Sequence, residues 1–281
     1  MKRTLLLDAD IIAYKFAAAT EKVFYFDGKA EEPAFVHDFD AAMQGAEQYI
    51  AELVDKLNAE EAIICLTDPD DNFRKHIWPE YKGNRKGVRK PTDLTRLKEW
   101  FTTRYQTYQR PGLEADDCMG ILATHPTLIK GEKIIVSEDK DMQSIPALLY
   151  NPAKDKKPRK IGALSAARFH LWQTIVGDTS DGYPGARGIG PKSAEAQAVL
   201  VSKSVEEAWG HVLAAFERAA LKNREVSMIE GEPADEVTAR FYQHVVGTAT
   251  IMARLARILR ASDWQFKERG PILWQPPITT V

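Results

Sequence analysis

The chain begins with a short apolar run, residues 4–7, that stops at Asp8. The same pattern recurs at 62–67 before Asp68 and at 133–137 before Glu138 and Asp139. Apolar runs of this length predict buried parallel strands, each with a carboxylate just past its C-terminal end. Between the first two runs, residues 40–58 set Met43, Ala46, Ile50, Leu53, Val54 and Leu57 at helical spacing. Between the second and third lie another helical pattern at 92–105 (Leu94, Leu97, Trp100, Phe101) and a helix opened by Leu113. Strand and helix alternate, which predicts an α/β fold with a central parallel sheet flanked by helices. In such sheets the site forms outside the carboxyl ends of the strands. Topology therefore brings Asp8, Asp68 and Asp139 to one edge, although they are far apart in the chain.

The pattern changes along the chain. Residues 24–28 and the EEPAFVHD that follows predict an inserted hairpin whose aromatics pack. Residues 73–90, FRKHIWPEYKGNRKGVRK, have a proline, two glycines and no helical stripe, and read as a long basic loop or loosely helical arch beside the site. From Ser165 a helical pattern (Phe169, Leu171, Trp172, Ile175, Val176) leads into GDTSDGYPGARGIGPKSA. There Gly188 and Gly190 flank Ile189, and Pro191 stands where the first residue of the next helix is expected. This predicts a helix-hairpin-helix, in which glycines let the backbone approach a phosphate and amides at the second helix's start point at it. A plain glycine turn is the competing reading. Residues 223–238 are polar and read as a loop, 241–259 as a helix ending in MARLARILR, and DWQFKERGPILWQPP as an irregular tail. The expected organisation is a core at 1–160 carrying the arch, followed by the hairpin and a helical region at 161–281.

Candidate chemistry is concentrated in acids. PGLEADDCMG and EDKDM hold Glu114, Asp116, Asp117, Asp139 and Asp141 within about thirty residues, and Asp178 and Asp181 follow three apart. A single acid at a helix start merely offsets the macrodipole. This many with apolar neighbours repel one another unless cations join them. With Asp8 and Asp68 the count reaches nine, and neither thiolate nor imidazole is among them. All-oxygen ligation selects Mg²⁺ first and Mn²⁺ next. Nine acids exceed one octahedral ion that keeps its waters, and suit two ions roughly 4 Å apart, one activating water and the other steadying the leaving oxygen of an in-line phosphodiester displacement.

Charge and cysteine content narrow the partner and the compartment. The 281-residue chain is 44% hydrophobic and 28% charged, as soluble globular proteins are, and its net charge is only -2. Yet Arg74, Lys75, Lys82, Arg85, Lys86, Arg89 and Lys90 face one acid, Glu80, within 73–90. A basic flank beside an acidic pocket suits a polyanion held near metal, and Tyr81 next to Lys82 adds a stacking surface for nucleic acid. Cys65 and Cys118 form neither a disulfide framework nor a zinc spacing, and the apolar start ends too early for a signal peptide or membrane span. The expectation is a cytosolic protein that does not contact membranes.

LLLDAD, TDPDDNFRKHIWPEYKGNRKG, LEADD, SEDKD, GDTSDG and GARGIGPKSA stand in the order and at about the spacing of the flap endonuclease / 5′-nuclease superfamily. The chain resembles in particular the phage-encoded 5′ to 3′ exonucleases of short-tailed phages. The resemblance implies a PIN-like 5′-nuclease core, an arch over the site, and metal-dependent hydrolysis at 5′ ends of duplex or flap DNA, with RNA–DNA hybrids as a further substrate. It implies a monomer in the cytoplasm of an infected bacterial host. It assigns Asp8, Asp68, Glu114, Asp116, Asp117, Asp139, Asp141, Asp178 and Asp181 to the metal site. Lys82 and Arg85 would be catalytic, and Arg74, Tyr81, Lys86, Gly188, Ile189, Gly190 and Lys192 would bind nucleic acid, with K⁺ at the hairpin. Ala9 replaces the glycine that often follows the family's first Asp, and Asp10 matches no universal ligand. Other readings stand beside this one: a PIN-type endoribonuclease, a phosphatase using Asp8 or Asp10 as nucleophile, and a non-catalytic DNA-binding module.

Overall fold

A computed structural model of the chain describes residues 2–25, 33–227, 229 and 232–277. Its strands are β1 (Arg3–Asp8), β2 (Glu21–Phe24), β3 (Ala34–His37), β4 (Glu61–Cys65), β5 (Gln106–Tyr108), β6 (Glu132–Val136), β7 (Leu148–Tyr150), β8 (Arg159–Lys160), β9 (Trp264–Gln265) and β10 (Gly270–Pro271). Its α-helices are α1 (Ala9–Ala19), α2 (Phe39–Lys56), α3 (Phe73–Ile77), α4 (Leu94–Arg104), α5 (Ala115–Thr124), α6 (Ala163–Val176), α7 (Ala194–Val201), α8 (Val205–Asn223) and α9 (Ala234–Ala256). The main sheet runs β5-β4-β1-β6-β7-β8, parallel except for β8.

The three apolar runs form its centre because nothing polar interrupts them on either face. Successive residues point to opposite sides. Leu5, Leu7, Ile64, Ile134 and Val136 share one cluster with Ile12, Ala46 and Phe101 of α1, α2 and α4. Leu6, Ile63, Cys65 and Ile135 face Cys118, Met119 and Ile121 of α5 and, beyond them, Leu259 and Trp264. Leu5, Leu6 and Leu7 are fully buried, and cutting any of them to alanine should cost about 2–5 kcal/mol. A third cluster joins α6 to α9, with Trp209 and Met252 at its centre, and takes in Tyr81 from the basic segment. Among the described residues no helix is long and apolar enough to cross a membrane.

The expected hairpin is present as β2 and β3, while Phe26, Asp27 and Gly28 lie outside the described residues. Three expectations need correction. The helix expected to open at Leu113 is α5, which starts at Ala115 with Glu114 as its extended N-cap. Pro191 does not open α7: Ser193 caps it, accepting the Ala196 amide at 3.2 Å, and the proline stays in the preceding turn. Residues 234–238 are helical rather than loop, since Asp235 and Glu236 in the first turn of α9 favour that terminus.

One buried ion pair ties these parts together. Arg74, 2% exposed, donates all five N–H groups: to Asp117 Oδ2 and Oδ1 at 2.7 and 2.8 Å, Glu114 Oε2 at 3.1 Å, and the carbonyls of Leu255 at 3.1 Å and Arg257 at 2.6 Å. Asp117, fully buried, also accepts the amides of Leu259 at 2.9 Å and Glu114 at 3.2 Å. Gly120 completes this docking, because a Cβ there would collide with the Leu259 carbonyl. Removing one partner of such a pair strands a buried charge, at a cost of about 3–5 kcal/mol, whereas replacing both by apolar groups is far milder. We expect Asp117→Ala to lose about that much stability in denaturant unfolding and the Arg74→Met/Asp117→Leu double variant to recover most of it; equal losses would contradict the pairing.

Candidate active site

The carboxyl ends of β1 and β6 and the start of α5 converge on one edge. Asp8, buried at the end of β1, accepts the Ser137 hydroxyl at 2.9 Å and the Ile11 amide at 3.2 Å. Burial and the nearby charges of Asp10 and Asp139 push its carboxyl up to about 7, against the hydrogen bonds that pull it down. Burial, then Asp8, Asp139 and Glu114, raises Asp116 well above the usual carboxylate range. Asp139 caps the 3-10 turn Lys140–Ser144, accepting the Asp141 amide at 2.7 Å, and its own amide bonds the Ser137 hydroxyl at 3.1 Å.

Asp139 also faces a second group. Asp141 takes the Gln173 amide at 2.7 Å on Oδ2, while its buried Oδ1 has no partner. Burial and the Asp139 charge push Asp141 up to about 7. Asp178 stands apart electrostatically: burial alone would raise it, but Ser180, at 2.8 Å from the amide and 2.5 Å from the hydroxyl, and Lys140 at 3.2 Å hold it low. The turn carrying Asp178 and Asp181 depends on two left-handed glycines, since a Cβ on Gly177 or Gly185 would strike backbone across the turn.

The basic segment lies down on this edge. Lys82 bonds Asp181's carbonyl through its amide at 2.8 Å, and Asn84 bonds the Thr179 carbonyl at 2.9 Å. The Lys82 ammonium pairs with Glu114 and lies 3.6 Å from Asp181; burial would lower it, but these acids carry it above its ordinary value. Glu114 is held at about 2, its burial overcome by Lys82 and Arg74. The Tyr81 hydroxyl lies 2.9 Å from both Glu114 and Asp181, and Arg85 pairs with Asp181 at 2.9 Å.

The edge thus gathers Asp8, Glu114, Asp116, Asp139, Asp141, Asp178 and Asp181, with Lys82 and Arg85 against them. Among the described residues no three or more His, Cys, Asp or Glu are packed tightly enough to enclose one ion. Three calls change. Asp117 is no metal ligand, because both its oxygens are saturated by Arg74 and backbone amides in the core. Arg74 binds no nucleic acid, because its guanidinium is spent inside the protein. Tyr81 is 3% exposed and stacks on Tyr183, which leaves no face for a base. Asp68, just past the end of β4, accepts the Gly112 amide at 2.6 Å and the Asp70 amide at 3.2 Å, one on each oxygen as in Asp8, and so also fixes the turn leading to Glu114. Lys86, Lys192, Gly188 and Gly190 are exposed and Ile189 is buried. The sequence reading passed over Ser137, Lys140, Gln173 and Ser180, which orient the acids; Ser137 sits inside SEDKD, directly after the strand, where a hydroxyl can reach two strand ends.

Comparisons with known proteins identify the family. Residues 3–155 match the family model for the 5′-3′ exonuclease, N-terminal resolvase-like domain. The exonuclease of Escherichia phage T7 is 30% identical over 292 residues, covering 98% of this chain and 94% of that protein. Flap endonuclease Xni of Shewanella sp. (strain W3-18-1) is 32% identical over 143 residues, covering 47% of this chain and 55% of the relative. A structure of the T5 5′-exonuclease with divalent zinc shares the fold, with a TM-score of 0.50 and 18% identity over 88% of this chain and 100% of that one. With the strand-end acids, the basic segment and these matches in agreement, the chain belongs to the 5′–3′ exonuclease family, and its activity is that of a 5′–3′ exonuclease.

Proposed function

We propose that phosphodiester hydrolysis takes place at the carboxyl edge of the sheet, on divalent cations held by Asp8, Glu114, Asp116 and Asp139 on one side and Asp139, Asp141, Asp178 and Asp181 on the other. The strongest support is Asp141. Its buried Oδ1 has no partner, and burial with the Asp139 charge outweighs what Gln173 and Lys140 offer it. Every donor is an oxygen, which favours Mg²⁺, with Mn²⁺ as a substitute. When bound, such ions supply an activated water and offset charge on the leaving oxygen.

The chain's own residues position these groups. Ser137 orients Asp8, Gln173 orients Asp141, and Tyr81 spaces Glu114 from Asp181. Lys82 occupies the acid-lined edge where a scissile phosphate would sit, and the exposed Arg85 and Lys86 lie just outside it for neighbouring phosphates. The 188–192 turn is read as a second phosphate grip, with Lys192 beside it and K⁺ as its ion. A Cβ at Gly190 would meet nothing, so a backbone phosphate can come close. The substrate is DNA with 5′ ends in duplexes or flaps, extending to RNA–DNA hybrids. The enzyme acts as a monomer in the cytoplasm of an infected host.

Two measurements test this reading. Asp8 and Asp141 hold protons in the folded state up to about 7, against about 3.9 unfolded, so the stability they contribute is full below about pH 4 and is lost as pH rises through about 7. In chelator the melting temperature should fall between about pH 5 and about pH 8, and Mg²⁺ should raise it far more at the higher pH. Equal stabilisation at both would contradict a metal site on these acids. For Lys82→Ala, single-turnover cleavage at saturating 5′-labelled duplex should slow by roughly 10²-fold, at low and high salt alike. A wild-type rate at saturation would remove Lys82 from the chemistry.

A further inference from the structure

A second gathering of base- and phosphate-seeking side chains lies past the end of β5, two strands from β1 in the sheet. Just past β5, Gln109 and Arg110 enter the turn at Pro111 and face the β9–β10 hairpin, which carries Trp264, Phe266 and Arg269; together they line a cleft of about 380 Å³. This is within the range of small-ligand sites. Arg110 lies 4.0 Å over the Tyr108 ring and donates to the Gln109 carbonyl at 2.8 Å. Neither Arg110 nor Arg269 has an ion-pair partner among the described residues, so two guanidinium groups line the cleft without a protein anion.

Phe266 adds an aromatic surface. It is 42% exposed, with His125 packed edge-on at 5.0 Å. The Gln109 amide is engaged by the Thr67 carbonyl at 2.8 Å, and the open aromatic ring flanked by guanidinium groups is the chemistry that holds a nucleotide, ring on base and cation on phosphate. Arg269 keeps its place at the hairpin tip in a left-handed conformation, φ 56°, which is unfavourable for a residue other than glycine. The cleft also shares a turn with the site: the Arg110 carbonyl accepts the Leu113 amide at 3.1 Å, and Gly112 between them is held by Asp68.

We propose that this cleft binds one nucleotide of a single-stranded DNA stretch continuing from the strand-end site, its base on Phe266 and its phosphate between Arg110 and Arg269. The choice of DNA as the polyanion rests on the exonuclease reading. The site itself rests on the cleft residues. The test is binding in chelator, read by fluorescence anisotropy of labelled oligodeoxythymidine and of blunt duplex, with folding checked by thermal melting. Phe266→Ala and the Arg110→Gln/Arg269→Asn double variant should each weaken oligodeoxythymidine binding roughly five- to tenfold, while blunt-duplex affinity shifts less than about twofold. A 5-iodouracil oligonucleotide should crosslink within 264–269. Unchanged oligonucleotide affinity in folded variants, crosslinks confined to 73–90 or 185–192, or binding of oligoglutamate in place of the oligonucleotide would each overturn the proposal. Because binding is read without cleavage, a wild-type protein that cleaves 5′-labelled duplex while the variants bind normally sinks the cleft and leaves the nuclease assignment intact.

Discussion

The Arg74–Asp117 pair is the constraint from which the geometry of the edge follows. A guanidinium with all five N–H groups engaged inside the protein is stable only when each acceptor is fixed, and these acceptors come from α5, from the cap residue Glu114 and from the backbone at the end of α9. The pair therefore draws the start of the basic segment, the acid-bearing helix and the C-terminal stretch to one point. It also decides which neighbouring acid does what. Asp117 turns into the core while Asp116, about 100° further round the helix, is left facing Asp8.

Sheet topology supplies the rest of the convergence. β1 lies between β4 and β6, so the acids that follow β1 and β6 are neighbours without any contact between them in sequence. Asp139 occupies the position where the two acid groups meet: its charge raises Asp8 and Asp116 on one side and Asp141 on the other. Electrostatic energy is concentrated there. Lys82 and Lys140 relieve it at the margins, on Glu114 and Asp178, while the centre stays acidic.

Much of this was legible in the sequence because strand ends and acids coincide: an unbroken apolar run followed by Asp8 or by SEDKD fixes both the strand and the side of the sheet its acid occupies. What could not be read was burial within a charged run. Arg74 and Tyr81 stand in a segment whose composition speaks for solvent and polyanion, yet each is enclosed, because their partners Asp117 and Asp181 are 43 and 100 residues away. Pro191 misled for a local reason: Ser193, two residues later, is the better cap, since its hydroxyl accepts a helix amide and proline has nothing to offer there.

The central claim is that Asp139 is shared by two halves of one metal site. It is tested most directly by calorimetric titration of Mn²⁺ into the wild type and Asp139→Ala, with cleavage of 5′-labelled duplex and DNA binding in chelator measured on the same samples. The account predicts two ions bound to the wild type, weakened binding of both in the variant, cleavage reduced by roughly 10³-fold or more, and DNA binding retained. A variant that keeps one ion at wild-type affinity, or that loses DNA binding in step with cleavage, would contradict it.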